Sequence, residues 1–195
     1  MFLAEIRNWP LPYVEALQLR RPDAVDLAVI HCTELPDMAT AREYGERICH
    51  PSGTGNSGHF YVDRDGSVCQ FVGVERVAHH VRGYNERSVG IELVNRGRWP
   101  DWLDSRNQAV SETYPEAQIE SLVTLIAWLQ RQLPALAWIA GHEDLDRERV
   151  PASDDPHKTV CRKRDPGPGF PWQRILHASR LQRLQAVHSG QDPGD

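Results

Sequence analysis

The chain has 195 residues, of which 40% are hydrophobic and 25% are charged, and 22 basic against 27 acidic residues give a net charge of −5. This balance argues against binding of nucleic acid or of an anionic membrane surface, and the length suits one soluble globular domain with a sizeable core. The four cysteines are widely spaced and form no C-x-x-C pair, which predicts reduced thiols.

The N-terminal segment carries no pattern typical of export. Glu5, Arg7 and two prolines interrupt it before an apolar stretch can form. No run elsewhere approaches the roughly eighteen apolar residues of a membrane span. We therefore expect a cytoplasmic protein that does not bind membranes.

The first third of the chain predicts a buried strand, a helix and a hairpin. The apolar run Asp26–Cys32 is typical of a buried strand that ends near His31. Apolar residues at helical spacing after Asp37 predict a helix. The segment 58–72 predicts two strands joined at Asp65-Gly66, a dipeptide that tolerates the positive φ of a tight turn.

The segment Ser88–Val94 predicts a strand with two unlike faces. Alternation places Val89, Ile91 and Leu93 on one face of the strand and Ser88, Gly90 and Glu92 on the other. Glu92 therefore points away from the larger aliphatic side chains.

The middle of the chain predicts a loop, a helix and a further strand. Residues 96–111 are rich in charge and turn formers and predict a surface loop. An apolar stripe over 115–133 predicts an amphipathic helix. The apolar run Leu136–His142 predicts a short strand that ends in a histidine, and the polar segment 147–160 after it predicts an irregular loop.

The C-terminal part predicts a last helix from about Trp172 to His188 and a flexible tail over 189–195. Strands mixed with a few helices then predict an α/β fold. We expect a single domain over 1–188, with a central mixed β-sheet flanked by helices.

Three residues far apart in the sequence suggest a metal site. His31 and His142 each end an apolar run, which places both imidazoles at the rim of a sheet. Asp165 adds a carboxylate in a loop whose prolines restrict the backbone. Two neutral imidazoles and one carboxylate suit Zn²⁺ with a fourth position open, as in catalytic sites. The alternative is that each histidine is only a polar cap at a strand end.

Four motifs occur in order along the chain: AVIHCTE, SVGIELV, AGHEDLD and KRDPGPGF. Together, over about Val29 to Trp172, they resemble the zinc-dependent N-acetylmuramoyl-L-alanine amidases of the AmpD type, relatives of phage T7 lysozyme and the peptidoglycan recognition proteins. The resemblance implies that family's fold and one zinc ion per chain. It also implies hydrolysis of the amide that joins N-acetylmuramic acid, or its 1,6-anhydro form, to L-alanine of the stem peptide.

The resemblance also implies roles for individual residues. His31, His142 and Asp165 match the metal ligands, and Glu92 and Lys163 match the catalytic glutamate and lysine. A glutamate can move protons between water and the leaving amine, and a cation can stabilise the oxyanion. From composition alone, Glu92 and Lys163 could instead be solvated surface charges.

Departures from the family pattern leave other assignments open. His80 matches a cleft histidine only loosely, and we consider His80 and Arg82 as substrate-binding residues. Gly58 stands where the phage relatives have a tyrosine, which would leave more of the proton transfer to Glu92. His157, in the long segment between His142 and Asp165, is a rival metal ligand.

The leading functional hypothesis is a monomeric cytoplasmic amidase that acts on anhydro-muropeptides in cell-wall recycling. One alternative is a lytic amidase that acts on intact peptidoglycan. The other is a module that binds muropeptides without cleaving them, although such modules typically lose metal ligands.

Overall fold

The computed structural model describes residues 6–185. Its strands are β1 (Arg7–Asn8), β2 (Leu27–Cys32), β3 (Phe60–Val62), β4 (Val68–Gln70), β5 (Ser88–Leu93), β6 (Trp138–Gly141), β7 (Arg149–Pro151), β8 (Thr159–Cys161) and β9 (Gln182–Arg183). Its α-helices are α1 (Met38–Glu46), α2 (Glu116–Gln132), α3 (His142–Leu145) and α4 (Trp172–Ser179). Short 3₁₀ turns occur at Val14–Ala16, Pro22–Ala24 and Asn85–Arg87.

Seven strands form one mixed sheet in the order β1-β4-β3-β5-β2-β6-β9. The pairing of β3 with β4 is antiparallel, and the other pairings in this sheet are parallel. Helices flank the sheet, so the predicted α/β fold with a central mixed sheet is confirmed. None of the helices within residues 6–185 is long and apolar enough to cross a lipid bilayer.

The two faces of the sheet are sharply different because side chains alternate along each strand. On β2, Ala28 and Ile30 belong to the main core with helix α2, while Leu27 and Val29 pack in a separate cluster on the opposite face. By the same alternation, His31 lies on the face of Leu27 and Val29. The predicted strand is confirmed.

Helix α2 covers the main core face. Its buried apolar residues recur at helical spacing and are Ile119, Leu122, Leu125, Ile126 and Leu129. Pro115 immediately precedes the helix and fits its start, and Pro134 follows its end. The predicted helix over 115–133 is therefore confirmed to within a residue at each end.

The β3–β4 hairpin uses a five-residue loop, 63–67, around the predicted Asp65-Gly66 turn. Gly66 adopts a φ of +87°, a region that favours glycine. A Cβ at this position would also lie 2.8 Å from the carbonyl oxygen of Ala117. The glycine therefore permits both the turn and the close approach of helix α2.

Two C-terminal expectations are wrong. The segment 147–160, predicted to be irregular, forms most of the antiparallel β7–β8 hairpin. The predicted helix from Trp172 ends at Ser179, and Arg180 takes a left-handed conformation with a φ of +58°. Residues 182–183 then pair with β6 as strand β9. The edge of β6 offers backbone hydrogen bonds that a continued helix could not make. The predicted tail, 189–195, and His188 lie outside the described residues.

A buried ion pair holds the loop after β5. Arg98, predicted in a surface loop, is only 1% exposed. Its guanidinium donates to both carboxylate oxygens of Glu34, at 2.6 and 2.9 Å. It also donates to the backbone carbonyls of Cys161 and Arg162, at 2.9 and 3.2 Å. Arg98 thus connects the segment after β2 with the segment after β8.

We expect Arg98→Met to lower the free energy of unfolding by about 3–5 kcal/mol, because the Glu34 carboxylate would remain buried without its cation. Urea unfolding of the variant and the wild type gives this difference. Arg106→Met is the matched control, since Arg106 pairs with Asp104 while its own side chain is 78% exposed. Equal stability of the two variants would contradict the expectation.

Candidate active site

Three side chains converge at one edge of the sheet. The Nδ1 atoms of His31 and His142 lie 3.0 Å apart, and each lies close to Asp165 Oδ2, at 3.0 and 3.1 Å respectively. All three residues are buried, with 3% or less of their surface exposed. They form the one cluster of potential metal ligands found within residues 6–185.

The spacing of these atoms fits a tetrahedral metal. Bonds of about 2.0–2.1 Å from zinc to nitrogen and oxygen place neighbouring ligand atoms about 3.3 Å apart in a tetrahedral site. The observed separations of 3.0–3.1 Å approach that value. Within the described chain, Asp165 Oδ1 and His142 Nε2 are buried without a hydrogen-bond partner. A cation held by His31 Nδ1, His142 Nδ1 and Asp165 Oδ2 would compensate the lone pairs that converge there and the negative charge of the buried carboxylate.

The protonation states also suit metal binding. Burial, ahead of the opposing effect of Asp165, lowers the pKa of His31 to about 4, so its ring is neutral at neutral pH. Burial alone would raise the pKa of Asp165, but the neighbouring histidine rings and Lys163 hold it well below its usual value. A neutral imidazole and an ionised carboxylate are the forms that bind metals.

Local backbone geometry brings the Asp165 loop against the end of β6. A Cβ on Gly141 would lie 2.8 Å from Pro166 Cδ, so only a residue without a side chain allows this approach. The backbone N–H of Glu143 donates to the carbonyl of Asp165 at 3.0 Å. These contacts fix Asp165 beside His142, the first residue of α3.

Glu92 faces the same site from the neighbouring strand. It is in register with His31, and its Oε1 lies 4.0 Å from His31 Nδ1. Its side chain is 13% exposed, so it is not a solvated surface group. Burial, followed by the charge of Asp165, raises the pKa of Glu92 to about 8, although Lys163 acts in the opposite direction.

Gly58 provides the space that Glu92 occupies. A Cβ at position 58 would lie 2.7 Å from Glu92 Cγ. The absence of a tyrosine at this position, noted from the sequence, therefore has a steric reason. The glutamate and a side chain at 58 exclude each other in this arrangement.

Lys163 and Arg82 line the same cleft at different depths. Lys163 is half-buried, and Arg98 holds the two carbonyls that precede it in the chain. Arg82 lies at the rim, where its side chain is 67% exposed and pairs with Glu148 at 2.8 Å. The cleft has a volume of about 830 Å³.

His80 lines the cleft next to His31, and both of its ring nitrogens have partners. Its Nδ1 is 3.0 Å from His31 Nε2, and its Nε2 is 3.1 Å from Ser88 Oγ. Burial, ahead of the neighbouring His31, holds the pKa of His80 well below its usual value. His157 is exposed and outside the ligand cluster, so the structure does not support it as a rival ligand.

Sequence reasoning missed two parts of the site. Tyr61, in register with Glu92, also lines the cleft, and its hydroxyl lies 3.0 Å from Ser57 Oγ. Alternation along the predicted hairpin strand was the signal that could have placed it there. The Arg98–Glu34 pair has no local signal, because its partners are 64 positions apart.

Comparisons with known proteins agree with this geometry. A family model described as N-acetylmuramoyl-L-alanine amidase matches residues 21–168. The 1,6-anhydro-N-acetylmuramyl-L-alanine amidase AmpD of Enterobacter cloacae is 34% identical, in a match that spans 58% of this chain and 52% of that protein. The AmpD of Citrobacter freundii is 28% identical over 89% of this chain and 90% of its own length. A solved structure of a selenomethionine AmpD derivative superposes with a TM-score of 0.63 at 25% identity, covering 91% of this chain and 96% of the other.

We expect Glu92→Gln to stabilise the metal-free protein at pH 8 by on the order of 2–4 kcal/mol. The folded pKa of about 8 exceeds the ordinary value of 4.5, so the folded wild type binds more protons than the unfolded chain between these pH values. Stability of the wild type therefore falls as the pH rises through this window, and the variant avoids that loss.

Urea unfolding in the presence of a chelator, at pH 5 and at pH 8, gives the difference between variant and wild type. It should be small at pH 5 and large at pH 8. The control is Glu120→Gln, at an exposed position on α2. A difference that is the same at both pH values would show that the Glu92 carboxyl is not the group responsible.

Proposed function

Because the chain belongs to the N-acetylmuramoyl-L-alanine amidase family, we propose that it hydrolyses the amide between the lactyl group of 1,6-anhydro-N-acetylmuramic acid and L-alanine of the stem peptide. The observation that carries this proposal is the convergence of His31, His142 and Asp165 beside Glu92 in one cleft. The names of the AmpD relatives support the anhydro sugar as the substrate class.

We propose one Zn²⁺ per chain, held by His31 Nδ1, His142 Nδ1 and Asp165 Oδ2. Two imidazoles and one carboxylate with a fourth position open are a donor set of catalytic zinc sites. Bound zinc would polarise the substrate carbonyl and lower the pKa of water from about 15.7 to about 7.

Glu92 is the proton carrier in this proposal. It accepts a proton from the attacking water and passes it to the nitrogen of the leaving L-alanyl peptide. Both forms of the carboxyl serve this exchange: the ionised form accepts the proton from water, and the protonated form, which burial favours by raising the pKa, donates to the leaving nitrogen. Its place next to His31 in the sheet register keeps the carboxyl at the site of attack.

Lys163 stabilises the oxyanion that forms when water adds to the amide carbonyl. It lies two residues before Asp165, which limits its Cα to about 7 Å from that of the proposed ligand. A cation near the reacting oxygen favours the charged tetrahedral state over the neutral amide. Arg98 holds the backbone before Lys163 and so limits its movement.

The cleft volume of about 830 Å³ suits a ligand with a sugar ring and a short peptide. We keep Arg82 as a substrate-binding residue at the rim, where the anionic stem peptide would compete with Glu148 for its guanidinium. Both ring nitrogens of His80 are already engaged, by His31 and Ser88, so in this proposal substrate contact falls to Arg82 and not to His80.

We propose the cytoplasm as the site of action, in muropeptide recycling, with the chain acting as a monomer. The four cysteines are free thiols, as expected in a reducing compartment. A lytic amidase on intact peptidoglycan and a non-catalytic binding module are the alternatives. Retention of all three ligands disfavours the module.

We expect Asp165→Ala to lose both metal and activity, since the remaining two imidazoles form an incomplete site. Glu92→Gln and Lys163→Met should retain zinc but lower the rate by about 10²–10⁴-fold, because each removes one contribution to the transition state. Metal analysis of the purified proteins and mass spectrometry of a defined anhydro-muropeptide digest measure both effects. His157→Leu, the control, should keep metal and rate. Full turnover by Glu92→Gln would overturn the proton-carrier role.

A substrate comparison separates the functional alternatives. The wild type should release the stem peptide from soluble 1,6-anhydro-muropeptides at least about tenfold faster than from intact sacculi. Its activity should vanish on treatment with a chelator and return with Zn²⁺. Faster release from sacculi would favour the lytic enzyme, and binding without release from either substrate would favour the module.

A further inference from the structure

The His31 ring has distinct partners on its two sides. Nδ1 faces the ligand cluster, 3.0 Å from Asp165 Oδ2, and Nε2 lies 3.0 Å from His80 Nδ1. The two rings meet edge to face, with an interplanar angle of 83°. His80 therefore contacts Nε2, the ring nitrogen of His31 that the proposed metal does not bind.

Hydrogen bonds continue from His80 through Ser88 to the backbone carbonyl of Tyr84. His80 Nε2 lies 3.1 Å from Ser88 Oγ, and Ser88 Oγ lies 2.8 Å from the carbonyl oxygen of Tyr84. A carbonyl oxygen can only accept, so the Ser88 hydroxyl must donate to Tyr84. The oxygen of Ser88 is then the acceptor for a donor on its other side.

The Tyr84 carbonyl determines which atom donates and which accepts in each hydrogen bond back to His31. His80 Nε2–H donates to Ser88, and because a neutral imidazole carries one N–H, His80 Nδ1 holds a lone pair. That lone pair accepts from His31 Nε2–H. The neutral His31 ring then has its own lone pair on Nδ1, which is the atom directed at Asp165 and His142.

The fold provides a dedicated place for His80. A Cβ on Gly90 would lie 2.7 Å from the His80 ring, so a residue with a side chain would displace it. The Asn85 side-chain carbonyl accepts from the backbone N–H groups of His80 and Val81, at 3.1 and 2.8 Å. Ser88 and Gly90 lie on the same face of β5 as Glu92, so one strand face supports both the proton carrier and the histidine pair.

We propose that His80 is a positioning residue, which holds His31 in the tautomer whose Nδ1 is free to bind the metal. This proposal rests on the metal site of the proposed function. Partners that orient a ligating histidine typically contribute about 10–100-fold to metal affinity. Ser88 acts one step further out, by fixing the tautomer of His80.

The test compares two substitutions of equal shape. Asn places its side-chain oxygen near the position of the histidine Nδ1, whereas Leu has the same outline without an acceptor. We expect His80→Leu to weaken Zn²⁺ binding by about 10–100-fold, and His80→Asn to recover most of that loss. Competition with a chromophoric chelator measures the affinity without reference to activity. His157→Leu controls for removal of a histidine and should bind as the wild type does.

A second measurement uses the wild type and does not depend on a variant that folds. In the metal-free protein with ¹⁵N-labelled histidine, long-range ¹H–¹⁵N correlation spectra should show the proton of His31 and of His80 on Nε2. A proton on Nδ1 of either ring would overturn the proposal. Equal weakening by Leu and Asn would assign His80 to packing alone, and wild-type affinity in His80→Leu would remove the role altogether.

The outcomes separate this inference from the function it rests on. If the wild type binds no Zn²⁺, the proposed metal site fails. If the wild type binds Zn²⁺ and His80→Leu binds it equally well, the metal site stands and only the role of His80 is overturned.

Discussion

Alternation of side chains along neighbouring strands is the constraint on which this site depends. On β2, β5 and β3, alternate residues face the core with helix α2, and the residues between them lie on the opposite face of the sheet, which carries the cleft. Register then places His31, Glu92 and Tyr61 side by side across the three strands. A slip of one residue in any strand would bury a polar group in the core and remove it from the site.

The site concentrates groups that the fold would otherwise avoid burying. One region contains Asp165, whose carboxylate has an oxygen without a hydrogen-bond partner among residues 6–185, and Glu92, whose pKa is raised. It also contains several buried imidazoles, among them His80. Burial of ionisable groups without full compensation costs folding free energy. The large apolar core beneath the sheet, with α2 and α4 against it, offsets this cost. Function therefore occupies the less stable face of a sheet whose other face provides the stability.

Much of this arrangement follows from local sequence patterns. Apolar runs that end in His31 and His142 indicated where both imidazoles would lie, and alternation in SVGIELV indicated the direction of Glu92. Asp165 was identified by its chemistry together with the ordered motifs. These features are predictable because each depends on a few consecutive residues and on the period of a strand.

Other features depend on partners that are distant in the sequence. Strand β9 forms because β6 has an unpaired edge, although the sequence after Trp172 favours a longer helix. The β7–β8 hairpin is polar and packs against the loop after β5, with Ser153 N–H donating to the carbonyl of Leu103. The contact between His31 and His80 joins positions 49 residues apart. Periodicity carries no information about such pairings, since they are decided by the assembled sheet.

The close approach of Gly58 to Glu92 has an evolutionary consequence. A side chain at position 58 and the side chain of Glu92 would fill the same space, which holds one functional side chain but not two. Lineages that share this backbone should therefore exchange one solution for the other through paired substitutions, with an acidic group on β5 or a larger residue ahead of β3. In aligned homologues, a large side chain at position 58 should therefore occur with a small one at position 92, and the reverse. A chain with large side chains at both positions would need a displaced β3–β4 hairpin.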